Sequence, residues 1–221
     1  MEGVGGLPDE RDGPSAEDAP LQPEPLCILD AVICVHFVGA NLHRLLIDVL
    51  RQADLVLLVP QEVCDEISGK DRKFPGLGLR WKKLEQSSHV RVLPRLEAST
   101  APARVIEVFE DVRGRQFEDA HADPRDRGEA VVVAHGVHHQ HLGHEVWLAI
   151  DDQGGRAIAA ARGLQLLSIE DVLVMAVQFG RFATEGTLKD AYAKLRKYGE
   201  GLAPYEATIL HKEWQSRPTQ A

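Results

Sequence analysis

The chain has 221 residues, of which 44% are hydrophobic, and a formal net charge of −9. This is enough for one large domain with its own core, and no apolar run approaches the ~18 residues of a membrane helix. The negative charge argues against non-specific nucleic-acid binding, which needs a phosphate-neutralising surface. If the chain handles nucleic acid, a bound cation or a local basic patch must offset its charge.

The N-terminal sequence and the cysteines predict a cytoplasmic protein. Residues 1–24 are rich in Gly, Pro, Asp and Glu, so we expect a disordered acidic tail. They lack the basic and then apolar pattern of a signal peptide. Cys27, Cys34 and Cys64 are odd in number and lack metal-like spacing, which predicts reduced core residues.

The remaining elements alternate between strand and helix. Short apolar runs predict strands, and apolar positions three or four residues apart predict helices. Strands are expected at 26–29, 54–60, 89–96, 145–150 and 164–168. Helices are expected at 31–53, 61–69, 101–122, 128–142, 154–163, 169–180 and 187–199.

This alternation predicts an α/β fold, with a central mainly parallel sheet in a three-layer α/β/α arrangement. The domain is expected at residues 25–200, with an insert at about 70–125. Residues 201–221 are expected to be a C-terminal extension. In parallel sheets the chemistry gathers outside the C-terminal ends of the strands, so the residues that end each strand deserve the closest reading.

Carboxylates collect at these strand ends. Asp30 follows the first strand, Glu66 lies on the helix after the second, and Glu129 lies near a helix start. Asp151 and Asp152 end a later strand. Acids at one sheet edge repel one another unless a cation holds them, and carboxylate oxygens suit Mg²⁺ or Mn²⁺. One of the paired aspartates would then be a direct ligand, and the other would support that ligand or have a structural role.

Each acid also has a plainer explanation. Asp30 and Asp152 are typical helix N-caps or turn formers, and the Gln-Gly-Gly sequence after Asp152 favours the N-cap there. Glu66 can be a solvated residue of a polar helix face. Glu129, in a first helical turn, favours the helix dipole.

The order and spacing of four segments resemble a PIN domain, a family of metal-dependent nucleases. The resemblance covers roughly residues 26–69 and 126–200, and the Asp-Asp-x-x-Gly-Arg form with its Ala-rich helix is similar to a toxin-like branch of the family. The four segments are CILDAVICV, LVLLVPQEVCDEI, DRGEAVVVAHG and LAIDDQGGRAIAAARGLQLLSIEDVLVMAVQFG.

The resemblance implies hydrolysis of RNA phosphodiester bonds, with one or two Mg²⁺ or Mn²⁺ ions activating water. Asp30 and Asp151 would be direct ligands, with Asp152 beside them. Glu129 would be a ligand directly or through water, and Glu66 would position water or a second ion. The catalytic set is therefore Asp30, Glu66, Glu129 and Asp151.

The sequence departs from the family at three places. Ala31 and Val32 follow Asp30, where family members often carry a Ser or Thr hydroxyl that helps to hold the metal. Residues 70–125 match no part of the family pattern. Glu62 competes with Glu66 for the second acidic position.

Two further segments carry candidate ligands. A basic stretch at residues 70–83 could bind an RNA backbone and stack a base, or it could be a solvated loop with a partly buried Trp. Arg156, on a different segment, could contact phosphate or pair with a carboxylate. His135 with His138 or His139 has helical zinc-site spacing, although a polar helix end is favoured. The RNA-contact candidates are Lys70, Arg72, Lys73, Arg80, Trp81 and Arg156.

Two functions follow. The first is a metal-dependent endoribonuclease, as the toxin of a toxin–antitoxin pair, whose antitoxin-like partner offers an arginine to the carboxylates. The second is a catalytically weak PIN-like binding or scaffold module. A homodimer is an expected partner state, and no membrane association is expected.

Overall fold

The computed structural model describes residues 23–199 and 201–217. They form an α/β fold in which a parallel five-stranded sheet is flanked by helices. The predicted fold class is therefore confirmed. The predicted tail at residues 1–24 lies outside the described residues, apart from Pro23 and Glu24.

The three central strands of the sheet are short, apolar and mostly buried, whereas the two edge strands are partly exposed. All neighbouring pairs are parallel, in the order β3-β2-β1-β4-β5. Strands covered by helices on both sides read as continuous apolar runs, which is why their sequences predicted them. The strands are β1 Leu26–Leu29, β2 Val56–Pro60, β3 Arg91–Leu93, β4 Val146–Ala149 and β5 Gln165–Leu167.

The helices differ from the prediction mainly where a long stretch divides. Residues 31–53 form two helices because Asn41 adopts a left-handed backbone, with φ 58°. Residues 101–122 divide at Gly114, with φ 62°, a conformation that glycine adopts without strain. The helices are α1 Ala31–Gly39, α2 His43–Gln52, α3 Gln61–Gly69, α4 Leu77–Glu85, α5 Ala103–Arg113, α6 Phe117–Ala122, α7 Arg127–His141, α8 Gln153–Ala160, α9 Ile169–Gln178, α10 Glu185–Leu195 and α11 Ile209–Ser216.

The segment at 70–125 is built of α4, β3, α5 and α6. Trp81 on α4 is fully buried in the main core. The α5 and α6 helices instead pack on α7, where Phe109 and Phe117 join Val131 in a smaller second core. The segment therefore forms a wall beside α7, next to the C-terminal edge of the sheet.

The described part of the C-terminal extension belongs to the main core. Leu210 on α11 and Tyr205 before it are buried there. The α11 helix packs against α9. Within residues 23–199 and 201–217, no helix has the length and apolar character that crossing a membrane requires.

The three cysteines are buried with free thiols. Burial raises the pKa of Cys27 and of Cys64 to about 12. The thiols are therefore protonated core groups, as their sequence positions predicted.

Candidate metal centre

The candidate site lies where the strand order of the sheet changes direction. The chain runs from β1 to β2 and β3 on one side, then crosses to β4 and β5 on the other. Ligands of open parallel sheets bind outside the strand ends at such a switch point. Leu29 pairs with Ala149 in the register, so Asp30 and residues 150–152 leave the sheet side by side.

Asp30 is almost fully buried at this edge, with 2% of its surface exposed. Its Oδ2 accepts a hydrogen bond of 3.2 Å from the Val32 N–H and caps α1. Burial, followed by the nearby Glu66 carboxylate, raises the pKa of Asp30 to about 6, although Lys70 and backbone N–H groups act in the opposite direction. A buried carboxylate among other acids is a group that a cation would stabilise.

Two glycines, Gly128 on α7 and Gly155 on α8, provide the space that the carboxylates of Glu66 and Glu129 occupy. A Cβ atom on Gly128 would lie 2.8 Å from Glu66 Oε2 and 4.0 Å from Asp30 Oδ1. A Cβ atom on Gly155 would lie 3.1 Å from Glu129 Oε2. A side chain at either position would push the neighbouring carboxylate aside, so glycine allows α7 and α8 to approach the acids closely.

Glu129 is the most strongly perturbed acid of the site. Burial raises its pKa to about 8, and the carboxylates of Asp152, Asp30, Asp126 and Glu66 add to the effect. Four helices thus bring acids within electrostatic reach of one another. We call Asp30, Glu66, Glu129 and Asp152 the carboxylate cluster.

The adjacent aspartates point to different helices. Asp152 Oδ1 accepts hydrogen bonds from the Gly154 N–H at 2.7 Å and the Gly155 N–H at 3.3 Å, and so caps α8. Asp151 Oδ1 accepts one from the Ile169 N–H at 3.2 Å, at the start of α9. The structure therefore brings Asp152 to the carboxylate cluster and turns Asp151, the expected direct ligand, toward α9.

The carboxylate cluster fits a divalent cation by its chemistry. In the described ranges, no three His, Cys, Asp or Glu side chains stand ready in a metal-holding arrangement. The hard oxygen donors, the raised pKa values and the glycine-made space nevertheless suit Mg²⁺ or Mn²⁺. The Glu66 side chain has room to change its conformation, because it is 41% exposed. Its Oε1 pairs with Lys70 Nζ at 2.7 Å, so this carboxylate would have to leave Lys70 to reach a metal ion.

Glu62, the competitor of Glu66, lies elsewhere. Its side chain is fully buried and accepts hydrogen bonds from the Leu96 N–H at 2.8 Å and, at 3.2 Å, from His121 Nε2 in the tautomer that protonates this atom. It therefore ties α3 to the 70–125 segment. Glu66, one turn further along α3, is the residue that faces the carboxylate cluster.

Part of the predicted RNA-contact set lies near the carboxylate cluster. Lys70 and Lys73 line a cavity of about 420 Å³ together with Phe74, Tyr198 and Asp152. The Phe74 and Tyr198 ring centroids are 5.3 Å apart. We call this the aromatic cavity.

The other members of that set do not converge there. The assignment of Trp81 was wrong, because its side chain is fully buried and has no face for a base. Arg80 Nε donates to the Val38 carbonyl at 3.2 Å, and Arg72 is an exposed residue. Arg156 Nη1 donates a hydrogen bond to the Ile150 carbonyl at 2.9 Å. Arg156 therefore has a structural role, but its partner is a backbone carbonyl and not the expected carboxylate.

The histidines of α7 pack against one another. His135 is 6% exposed, and burial lowers its pKa to about 3. The rings of His135 and His139 are stacked with centroids 6.4 Å apart. They are neutral packing residues at neutral pH.

The sequence analysis missed three arginines beside the carboxylate cluster. Arg113, Arg115 and Arg125 surround Asp123 and line a cavity that also contains Glu129 and Asp152. The available signal was the dense run of arginines around α6, in VRGRQ and DPRDRG. It was missed because the segment matched no known pattern.

No protein-family model matches this sequence, and no curated protein matches it significantly. The interpretation of the site therefore depends on its geometry and chemistry.

Proposed function

We propose that this chain is a divalent-metal-dependent ribonuclease that hydrolyses RNA phosphodiester bonds at the carboxylate cluster. The observation that carries the proposal is the meeting of four acids from separate elements at the switch point of the sheet. The raised pKa values of Asp30 and Glu129 indicate that burial and neighbouring carboxylates destabilise their charged forms, which a bound cation would relieve. The choice of RNA comes from the resemblance of the motifs to PIN domains.

Asp30, Glu129 and Asp152 are the residues that would hold Mg²⁺ or Mn²⁺. When bound, the ion supplies a Lewis acid that activates water and stabilises charge on the phosphate. The exposed Glu66 carboxylate accepts a hydrogen bond from the attacking water and orients it. The buried Asp30 keeps its position through the Val32 N–H.

The aromatic cavity would bind the single strand next to the scissile bond. Lys70 and Lys73 neutralise phosphate charge there. Phe74 and Tyr198 present partly exposed rings on which a base can stack. The two lysines bring positive charge next to the carboxylate cluster of this acidic chain, in a cavity that Asp151 and Asp152 also line.

Cleavage of a labelled single-stranded RNA pool tests the proposal. The wild type should cleave with Mn²⁺ or Mg²⁺ and not with EDTA, and Asp30→Asn and Glu129→Gln should abolish cleavage. Asp48→Asn, an exposed residue on α2, is the matched control and should cleave normally. Equal cleavage by all four proteins would identify a contaminant and remove the support for the proposal.

The same assay separates the two aspartates that end β4. Asp152→Asn should reduce cleavage strongly, because Asp152 lies in the carboxylate cluster. Asp151→Asn should act mainly through the start of α9, where its hydrogen bond lies. If Asp151→Asn loses more metal affinity than Asp152→Asn does, Asp151 rather than Asp152 is the direct ligand.

The second candidate function is a catalytically weak binding or scaffold module. It is favoured by the lack of a hydroxyl at Ala31 and Val32, and by Lys70, whose ammonium already pairs with Glu66. A Mn²⁺ titration discriminates between the two functions. A scaffold should show no affinity that depends on Glu129.

The proposed setting is a cytoplasmic toxin–antitoxin pair. An antitoxin-like protein could insert an arginine into the carboxylate cluster, because a guanidinium satisfies carboxylates through paired hydrogen bonds. Such a partner should lose affinity when Mn²⁺ is added. A homodimer is a further proposal, which measurement of the mass in solution would test.

A further inference from the structure

A second cavity, of about 510 Å³, opens on the other side of the carboxylate cluster. Glu129 and Asp152 form one wall, with the start of α8 beside them. The opposite wall is made by the C-terminal end of α5 and the loop between α6 and α7. This wall comes from the 70–125 segment and the turn that follows it.

Three guanidinium groups on that wall share one carboxylate. Asp123 Oδ2 lies 2.8 Å from Arg115 Nη2, 3.1 Å from Arg125 Nη2 and 3.6 Å from Arg113 Nη2. The hydrogen bonds from Arg125 and Arg115 hold the pKa of Asp123 well below its usual range. Asp126 also lines this cavity, so the wall sets three guanidinium groups against two carboxylates, which leaves excess positive charge and spare N–H donors.

Arg113 is built into the wall more firmly than a surface arginine. Its side chain is only 7% exposed, and its Nη1 donates to the Arg125 carbonyl. Its Nε is buried and has no hydrogen-bond partner among the described residues. A buried charged donor without a partner costs free energy, and an oxyanion in the cavity that Arg113 lines would stabilise the charge of its guanidinium.

Asp152 lines this cavity and the aromatic cavity alike. The carboxylate cluster therefore lies between two places that can hold a nucleic-acid strand. One side offers lysines and aromatic rings, and the other offers arginines. A phosphate on the arginine side would belong to the same strand as the scissile phosphate.

We propose that Arg113, Arg115 and Arg125 form a phosphate clamp for the RNA backbone beyond the scissile bond. Guanidinium groups bind phosphate oxygens through paired, charge-assisted hydrogen bonds. The clamp makes the substrate an internal stretch of single-stranded RNA that crosses the carboxylate cluster and is held on both sides. The anion site rests on the cavity itself, whereas its assignment to this RNA rests on the proposed function.

The salt dependence of RNA binding tests the clamp without requiring cleavage. A fluorescent single-stranded RNA of about 12 nucleotides, long enough for a typical strand-binding groove, is titrated in EDTA at several salt concentrations. The test variant is Arg115→Gln/Arg125→Gln, which changes exposed side chains and leaves the buried Arg113 in place. The matched control is Arg91→Gln/Arg104→Gln, which removes two exposed arginines outside the cavity.

The test variant should bind about tenfold more weakly, and the slope of log affinity against log salt should become shallower by about 0.7–1.4, since each single-strand phosphate contact contributes about 0.7. The control should keep the slope of the wild type. Equal slopes for the wild type and the test variant, or a wild type that does not bind the RNA, would overturn the clamp.

A second readout observes the anion site directly. Inorganic phosphate should shift the NMR signal of the Arg113 Nε–H in the wild type, and an unmoved signal would count against the site.

The results for the clamp and for the nuclease are independent of each other. If the test variant has a shallower salt slope than the wild type but no metal-dependent cleavage occurs, the clamp stands and the nuclease is refuted. If cleavage occurs but the two slopes are equal, the nuclease stands and the clamp is refuted.

Discussion

Replacement of Asp30 by Asn should stabilise the metal-free protein while abolishing its response to metal. The side chain is 2% exposed, and burial with the neighbouring Glu66 raises its pKa from 3.8 to about 6. The folded state therefore binds a proton more tightly than the unfolded state does. Above about pH 6 the ionised carboxylate destabilises the fold, and below about pH 4 this cost disappears.

The magnitude follows from the size of this shift. At about 1.4 kcal/mol per pKa unit, the cost at about pH 8 is at most about 3 kcal/mol. Asn keeps an acceptor for the Val32 N–H but buries an NH₂ group that needs an acceptor of its own. An unsatisfied buried donor costs about 1–3 kcal/mol. We therefore expect a net gain in the free energy of unfolding of about 0–2 kcal/mol, and about 2–4 °C in Tm for each kcal/mol.

Thermal unfolding in EDTA and in Mn²⁺ measures both effects. Asp30→Asn should melt above the wild type at about pH 8 in EDTA and equally at about pH 4. Mn²⁺ should raise the Tm of the wild type, because it binds only the folded state, and leave the variant unchanged. A variant that melts below the wild type in EDTA at the higher pH, while the exposed control Asp48→Asn is unchanged, would refute the electrostatic reasoning.

Three other predictions concern the same acids. The stability of the metal-free protein should fall as pH rises from about 4.5 to about 8, because the folded state keeps a proton on Glu129 that the unfolded state has released; urea unfolding across this range measures it. Gly128→Ala should lower Mn²⁺ affinity, because its Cβ would meet Glu66 Oε2 at 2.8 Å, while Gly69→Ala meets nothing within 4 Å and should not. Lys70→Gln should raise Mn²⁺ affinity and weaken RNA binding, because it removes the ammonium that pairs with Glu66; calorimetry and fluorescence anisotropy measure the two effects.

Each of these has a distinct contradicting result. A pH slope between about pH 6 and pH 8 that persists in Glu129→Gln would show that another group titrates in that range. Equal Mn²⁺ affinities of Gly128→Ala and Gly69→Ala would show that Glu66 does not act at the metal. Weaker Mn²⁺ binding in Lys70→Gln would show that Lys70 supports the site rather than competing for it.

The fold could be predicted from the sequence because its strands carry their signal locally. Buried parallel strands are continuous apolar runs, and acids directly after them must meet at one edge of the sheet. This reasoning predicted that Asp30 would lie beside the adjacent Asp151 and Asp152. It could not choose between Asp151 and Asp152, because the choice depends on whether a side chain caps α8 or turns toward α9.

The 70–125 segment could not be predicted to the same depth. Trp81 was predicted either to stack a base or to be partly buried in a solvated loop, yet the packing of α4 against α3 and α1 buries it fully. The arginines around Asp123 are separated in sequence by α6, and only the packing of α5 and α6 on α7 brings them together. Such long-range contacts leave no periodic pattern in the chain.

The central claim is that the carboxylate cluster binds a divalent cation, and electron paramagnetic resonance of Mn²⁺ tests it most directly. In a titration, the wild type should remove the signal of free Mn²⁺ in proportion to its concentration, and Mg²⁺ should restore it by competition. Glu129→Gln should bind much less Mn²⁺, while Asp48→Asn should match the wild type. Mn²⁺ binding that is the same in Glu129→Gln and the wild type, or absent from the folded wild type, would contradict the account.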